Sequence, residues 1–293
     1  MPELPEVEST VRGLRRTIIG KRIKDVWIDA KKLVKKPGSF ENFKQHLKGR
    51  KAEKIKRRGK NILINLSGNK ILLIHQKMTG HLLFGKWQMK KGKWISKIKG
   101  PMLNDSRNDY LRFIIFFEDG KQLALSDLRK FAKIELWDKN ELKVSESFKK
   151  LGPEPLEKNF TFEKFKQALG KKRKGKIKQV LMNQNVIVGI GNIYSDEILW
   201  RSKIHPFKDV SNLSNTELKR IYQSMKVILK KAVELKGTSI SDFRLVDGTK
   251  GFYELKRKVY RKEGEKCPRC KSEIKRKKIG GRSAHFCPQC QKL

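Results

Sequence analysis

The chain opens Met1-Pro2-Glu3-Leu4-Pro5-Glu6, with a proline behind the initiator methionine and a carboxylate beside it. A small second residue favours removal of Met1, which leaves Pro2 as a secondary amine at the N-terminus. Because α-amino groups titrate near roughly 8, a useful fraction is neutral at cellular pH. A neutral secondary amine can attack an electrophilic carbon, and the iminium it forms carries a fixed positive charge that acts as an electron sink for later elimination. Glu3 stands next to it as an acid or base. The same residues also read as an ordinary helix start. Pro5 suits a first turn, early glutamates suit the positive end of the helix dipole, and Val7, Val11, Leu14 and Ile18 form an apolar stripe ending near Gly20.

A second chemical signal sits at the other end. All 4 cysteines lie between 267 and 290, as Cys267-Pro-Arg-Cys270 and Cys287-Pro-Gln-Cys290. Two C-x2-C knuckles at this separation suit a tetrahedral four-cysteine zinc site. The competing redox reading needs one such motif near a βαβ pattern, which the sequence lacks. With four protein ligands the site is closed, so the metal is structural and does not activate water.

Lys and Arg number 71 against 30 Asp and Glu, a net charge of +41. That imbalance opposes compaction and points to a polyanionic partner, nucleic acid ahead of an anionic membrane. Solvated lysine-rich surface accounts for part of the excess, and Lys171-Lys172-Arg173-Lys174 reads equally as a flexible loop. No apolar run approaches the about 18 residues of a membrane span, and no signal peptide is visible. The expected compartment is intracellular.

These groups need elements to position them. After the first helix, residues 22–137 are β-rich, with candidate strands Ile62 to Leu66, Ile71 to His75, Leu111 to Phe117 and Lys133 to Trp137. Ser67-Gly68-Asn69 and Glu118-Asp119-Gly120 read as hairpin turns, so an antiparallel sandwich or barrel is expected. Residues 86–108 are polar, basic and glycine-bearing, and read as a mobile insertion. Gly152-Pro153-Glu154-Pro155 marks a boundary. Beyond it the period turns helical: Phe162, Phe165 and Leu169 on one helix, Ile177 to Gln184 on another, and a Ser214-x-x-Glu217 capping box ahead of Leu218, Ile221, Met225 and Ile228. Gly189-Ile190-Gly191-Asn192 lacks the third glycine of a dinucleotide loop. It is either a phosphate-presenting turn or a plain inter-helix turn.

Taken in order, these pieces resemble the formamidopyrimidine-DNA glycosylase (8-oxoguanine DNA glycosylase/AP lyase) family over nearly the whole chain. The resemblance rests on P-E-L-P-E-V-E at Pro2 to Glu8, R-R-G-K at Arg57 to Lys60, H-Q-K-M-T-G at His75 to Gly80 and D-L-R-K-F at Asp127 to Phe131. G-I-G-N-I-Y-S-D-E at Gly189 to Glu197 and the closing G-G-R-S-A-H-F-C-P-Q-C complete it. The resemblance implies an α+β multidomain fold: an N-terminal helix with an antiparallel β-sandwich (1–150), a helix–two-turn–helix domain (151–244), then a lesion-capping loop and four-cysteine zinc finger (245–293). It implies one structural Zn2+ on Cys267, Cys270, Cys287 and Cys290. The implied partner is double-stranded DNA containing oxidised bases or abasic sites, met by a monomer in the bacterial cytoplasm.

The implied activity is excision of oxidised purines followed by β,δ-elimination. Pro2 would attack C1′ of a flipped nucleotide, Glu3 would handle protons, Lys60 would contact the phosphate and assist elimination, and Arg282 would grip flanking phosphates. His75 and Asn192 match phosphate-binding positions. Met78, Arg129 and Phe131 match the trio that fills the void left by flipping. Lys174 and Lys178 match a DNA-binding basic stretch. Departures stand at Tyr110-Leu111-Arg112, where relatives carry His-x-His and where Arg112 is read as a phosphate contact, and at Lys130 and Ala132, where Arg and Gly are usual. Two other classes remain open: an endonuclease VIII-type glycosylase for oxidised pyrimidines, against which Leu4 argues, and a catalytically inactive zinc-finger DNA-binding protein.

Overall fold

The apolar stripe of the N-terminus becomes α1 (Leu4–Thr17), with Val7, Val11, Leu14 and Ile18 buried and Glu3 and Glu6 closing a reciprocal capping box over its first turn. The structure, a computed structural model, describes residues 1–103, 105–240 and 242–293. The chain falls into two compact units, Met1–Lys149 with Lys236–Phe252, and Lys150–Leu235 with Tyr253–Leu293.

In the first unit α1 is followed by β1 (Ile23–Ile28), β2 (Val34–Lys36), α2 (Phe40–Leu47), β3 (Ala52–Arg58), β4 (Asn61–Leu66), β5 (Lys70–His75) and β6 (His81–Gly85). Next come β7 (Trp87–Lys90), β8 (Lys93–Ser96), β9 (Leu111–Phe117), β10 (Gln122–Ser126) and β11 (Lys133–Asp138), then two short helices, α3 (Lys139–Val144) and α4 (Glu146–Lys149). One sheet runs β1-β9-β10-β6 and the other β2-β11-β5-β4-β3. The pairings are antiparallel except β2 with β11, which is parallel.

Strand alternation explains the two faces. Phe113, Ile115 and Phe117 of β9, Leu123 and Leu125 of β10, and Leu82 of β6 share one core with Ile62, Ile64, Leu72 and Ile74 of the other sheet and with α1. The intervening Ile114, Ala124 and Leu83 face outward, yet they are buried beneath Trp87 and Met102. Residues 86–108 are therefore not simply the mobile insertion that their lysines suggest. Asn104 lies outside the described residues; of the rest, Trp87–Lys90 and Lys93–Ser96 form the β7–β8 hairpin and Ser106–Tyr110 a 3-10 turn, with the Trp87 indole N–H donating to Asn108 Oδ1 at 2.8 Å. On the second sheet, Leu142 of α3 and Phe148 of α4 cover the outward Leu63, Ile71 and Leu73 in the same way. Apolar surface on both faces is why β5 and β9 read as near-continuous apolar runs.

The second unit holds α5 (Phe162–Gly170), α6 (Ile177–Met182), α7 (Asn192–Ser202), α8 (Asn215–Glu234) and the hairpin β12 (Lys275–Ile279)–β13 (Arg282–Phe286). The expected capping box is present on α8, Ser214 Oγ accepting from Glu217 N at 3.2 Å and Glu217 Oε2 from Ser214 N at 2.9 Å. Helix α6 stops at Met182, short of Gln184. The Gln184 side chain instead staples the glycine turn, accepting from Gly189 N at 2.8 Å and donating to Ile190 O at 2.9 Å. Among the described residues no helix is long and apolar enough to cross a membrane.

Candidate functional site

The start of α1 forms a closed corner in the first unit. Pro2 is buried and Glu3 is 2% exposed. Glu6 Oε2 accepts from Glu3 N at 2.8 Å, and its other oxygen accepts from Thr238 N at 2.7 Å. The two backbone segments meet so closely at this carboxylate that Gly237, at φ +77°, could carry no Cβ without lying 2.7 Å from Glu6 Oε1. With Met1 in place, burial lowers the pKa of its α-amino group below the ordinary 8.0. The charge of Lys60 lowers it further, and Glu3 and Glu6 oppose the shift.

Lys60 belongs to the two-residue turn between β3 and β4, where Arg58 pairs with Asn61. Turn lysines are ordinarily solvated, but this one is 6% exposed. Arg57 fixes the turn from behind, donating to Glu8 Oε2 at 3.0 Å and to Gly59 O at 3.1 Å. In the adjoining strand His75 stands opposite Asn61. Burial, reinforced by Lys77, Lys60 and Lys133, brings the His75 pKa down to about 3. The ring is therefore neutral, and its Nδ1 accepts from Lys77 N at 3.0 Å, which leaves the proton on Nε2.

Met78 and Phe131 are large apolar side chains left 40% and 49% exposed. They belong to two turns joined through Asp127, which is fully buried. Its Oδ2 accepts from Phe131 N at 2.7 Å and Ala132 N at 2.8 Å, and its Oδ1 from the Thr79 hydroxyl. Thr79 Oγ1 in turn accepts from Arg129 N at 3.1 Å. The Arg129 guanidinium lies 4.5 Å from the Phe131 ring centroid. Lys130, between them, takes a left-handed φ of +52°. The structure thus brings Met78, Arg129 and Phe131 onto one braced pair of turns. Arg112 has other commitments, donating from Nη1 to Asp29 Oδ2 at 2.9 Å and from Nε to Asp127 O at 3.3 Å. Its guanidinium is thus engaged by protein oxygens through Nε and Nη1.

In the second unit Asn192 opens α7, its amide oxygen buried without a hydrogen-bond partner. Lys174 is exposed in the basic turn before α6. Lys178 has a different job from the one the sequence suggests: its side chain is 0% exposed and ion-paired with Asp196 Oδ1. An ammonium so enclosed is not offered to DNA. Arg282 is exposed at the head of β13, beyond Gly280 and Gly281, whose φ values of +50° and +71° make the tight turn that twisted strands favour.

The four cysteine Sγ atoms lie within 4.8 Å of one another. Tetrahedral Zn–S bonds of about 2.3 Å put sulfurs about 3.8 Å apart, so the donor set fits one zinc ion. Both knuckles close alike, Lys271 N donating to Cys267 O at 2.9 Å and Gln291 N to Cys287 O at 3.0 Å. The Trp200 indole N–H donates to Cys267 Sγ at 3.4 Å.

Sequence reasoning passed over the residues that brace these groups. Glu6 and Asp127 are two. Asp196 is a third, for its second oxygen accepts from His285 N at 3.0 Å and lies 2.9 Å from His285 Nδ1. Glu197 is a fourth, accepting from Val259 N and Tyr260 N at 3.0 Å, with burial pushing its pKa up against those bonds. All four are buried, and a buried carboxylate demands donors, which these find chiefly in backbone N–H groups.

A braced N-terminal corner on a β-sandwich, a helical unit with a glycine-bounded turn and a four-thiol finger together define a class, the zinc-finger DNA glycosylases. Residues 1–134 match the Formamidopyrimidine-DNA glycosylase N-terminal domain, residues 151–244 the Formamidopyrimidine-DNA glycosylase H2TH domain, and residues 264–293 the zinc finger found in FPG and IleRS. The formamidopyrimidine-DNA glycosylase of Pelotomaculum thermopropionicum is 37% identical over 293 residues, covering 100% of both chains. Lactococcus lactis Fpg, in complexes with abasic-site DNA and with Fapy-dG DNA, is 34% identical at a TM-score of 0.85, covering 99% of this chain and 100% of that one. The chain belongs to the formamidopyrimidine-DNA glycosylase family. It is a DNA glycosylase of base excision repair, and its finger holds one structural zinc.

Proposed function

We propose that the enzyme excises oxidised purines, 8-oxoguanine and formamidopyrimidines, from duplex DNA and then cuts the strand with Pro2 as nucleophile. After removal of Met1, the Pro2 nitrogen lone pair forms a bond to C1′ of the flipped nucleotide. The N-glycosidic bond breaks and the base leaves with its electron pair and a proton. Glu3 moves protons as the sugar ring opens to the iminium. Loss of a C2′ proton then expels the 3′-phosphate, and a second elimination expels the 5′-phosphate. Lys60 and Arg282 hold the phosphates whose C–O bonds break, while His75, Asn192 and Lys174 bind the backbone. Met78, Arg129 and Phe131 fill the space left by the flipped base.

One observation carries this reading: Pro2 lies not in a frayed tail but in a buried corner clamped by Glu6, where burial and Lys60 already lower the pKa of the Met1 amine beside it. A neutral amine is what nucleophilic attack needs. A monomer working in the bacterial cytoplasm belongs to the same reading, which the bacterial relatives and a DNA substrate support.

Borohydride reduction during turnover of 8-oxoguanine duplex tests the mechanism. A covalent protein–DNA adduct mapping to residue 2, with Met1 absent, is expected. Adduct on Lys60, or undiminished trapping when an uncleaved tag converts the amine to an amide, overturns it. The same duplex series with thymine glycol separates the purine reading from the pyrimidine one.

A further inference from the structure

Two of the residues at which this chain departs from its family's usual pattern, Arg112 and Lys130, meet on a single atom. Arg112 Nη1 lies 2.9 Å and Lys130 Nζ 3.1 Å from the same oxygen, Oδ2 of Asp29. We propose that Arg112, Asp29 and Lys130 form a clamp that sets the void-filling turn, making Arg112 and Asp29 positioning residues for opposite-base recognition. The inference rests on the proposed role of Met78, Arg129 and Phe131.

The turn runs from Asp127 to Phe131 and needs Lys130 in the left-handed region, at φ +52°. A non-glycine residue there is strained, and restraint from outside the turn holds it in place. Arg112 supplies it at both ends. Its Nε donates to the carbonyl of Asp127, where the turn begins. Its Nη1 fixes Asp29, which holds Lys130 near the turn's end. Asp29 is itself anchored, its N–H donating to Arg112 O at 2.9 Å at the edge of the β1–β9 pair. Arg129 and Phe131, on either side of Lys130, are thereby directed outward together, guanidinium over ring. The Asp29 carboxyl is held below the usual carboxylate range by Lys130 and Arg112, against the opposing effect of burial, so the clamp is ionised near neutrality.

A phosphate-binding Arg112 and a clamping Arg112 respond in opposite ways to Asp29→Asn. If Arg112 bound phosphate, removing its acidic neighbour would free it and tighten DNA binding. If it clamps, Asp29→Asn and Arg112→Gln each weaken the same restraint. Single-turnover excision of 8-oxoguanine opposite C and opposite A, with 2-aminopurine as the opposite base to report its environment, reads the difference. The expected result is a loss of C-over-A discrimination of about fivefold in each variant, the equivalent of about 1 kcal/mol. The 2-aminopurine response should fall, the double variant should be no worse than either single, and the salt slope of binding to undamaged duplex should be unchanged. Tighter binding by Asp29→Asn, a salt slope reduced by about one contact in Arg112→Gln, or additive losses in the double variant overturn the clamp. Arg129→Ala is the control on the underlying reading. If it keeps wild-type discrimination, the void-filling role itself fails. If it loses discrimination while both clamp variants keep it, only the clamp fails.

Discussion

Glu6 is the residue whose loss should be felt most directly at the catalytic corner. Its carboxylate is 1% exposed and accepts Glu3 N–H at 2.8 Å and Thr238 N–H at 2.7 Å through different oxygens. Glu6→Gln keeps the length of the side chain and one acceptor, but sets an amide N–H2 against the other backbone N–H. A hydrogen bond to a charged acceptor contributes about 1.5–3 kcal/mol, and a buried donor left unpaired costs about 1–3 kcal/mol. A loss of about 2 kcal/mol in the local closing energy is therefore expected, or about 30-fold in the opening equilibrium. Amide hydrogen exchange at Thr238 and Glu3 reads that factor locally, with no assumption that the two-unit chain unfolds in one step. Gly237→Ala approaches the same contact from the other side. Its Cβ would sit 2.7 Å from Glu6 Oε1 and 3.1 Å from Glu6 Cα, on a backbone with φ +77°, and it should weaken the corner at least as much. Both variants should also slow borohydride trapping, because a loosened helix start no longer presents one geometry to C1′. Wild-type exchange at both amides with unimpaired trapping would refute the idea that Glu6 holds the corner together.

Other outcomes are equally open to measurement. His75 and His81, lowered to about 3 and about 4 chiefly by burial, are neutral in the fold and take up protons near the ordinary 6.5 once unfolded. Their contribution is complete above the unfolded value and is lost as pH falls toward the folded ones. Stability should therefore drop by about 1.4 kcal/mol per pH unit for each between about pH 6 and 5. Urea midpoints at saturating zinc check this, and a His81→Gln protein with an unchanged pH slope would contradict it. Trp87→Ala should cost about 3–5 kcal/mol by uncovering the outer face of β6, β9 and β10; a change in urea stability below about 1 kcal/mol would show that the hairpin rides on the sheet without supporting it. Zinc chelation, or Cys287→Ser, should unfold the finger and abolish duplex binding while the sandwich keeps its urea transition. Tight lesion binding by metal-free protein would contradict that.

The elements legible in the sequence were those with a period or a cap. The α1 stripe, the β5 and β9 runs, the Ser214 box and the paired knuckles all announce themselves through spacing alone. Residues 86–108 did not, because lysines on the solvent side mask the few side chains, Trp87 and Met102 above all, that bury an outer sheet face. A covered outer face is a tertiary fact with no local period. The chemistry-bearing residues stood out by motif, whereas Lys178 and Arg112 could not be told from phosphate ligands. Whether a cation faces DNA or a carboxylate of the protein depends on partners far along the chain, the buried Asp196 for one and the exposed Asp29 for the other.

The bond from Glu6 to Thr238 spans 232 positions of sequence. At ribosomal rates of about 5–20 residues per second, the helix start emerges on the order of 10 to 50 seconds before its own clamp. The segment Lys236–Phe252 returns to the first unit only after the chain has passed through Lys150–Leu235 of the second. A nascent or prematurely terminated chain ending before this segment carries Pro2 and Glu3 but lacks the backbone that closes around Glu6. Closure of the Pro2 corner is thereby deferred until most of the polypeptide exists, and fragments left by stalled translation lack the completed corner that the proposed mechanism needs.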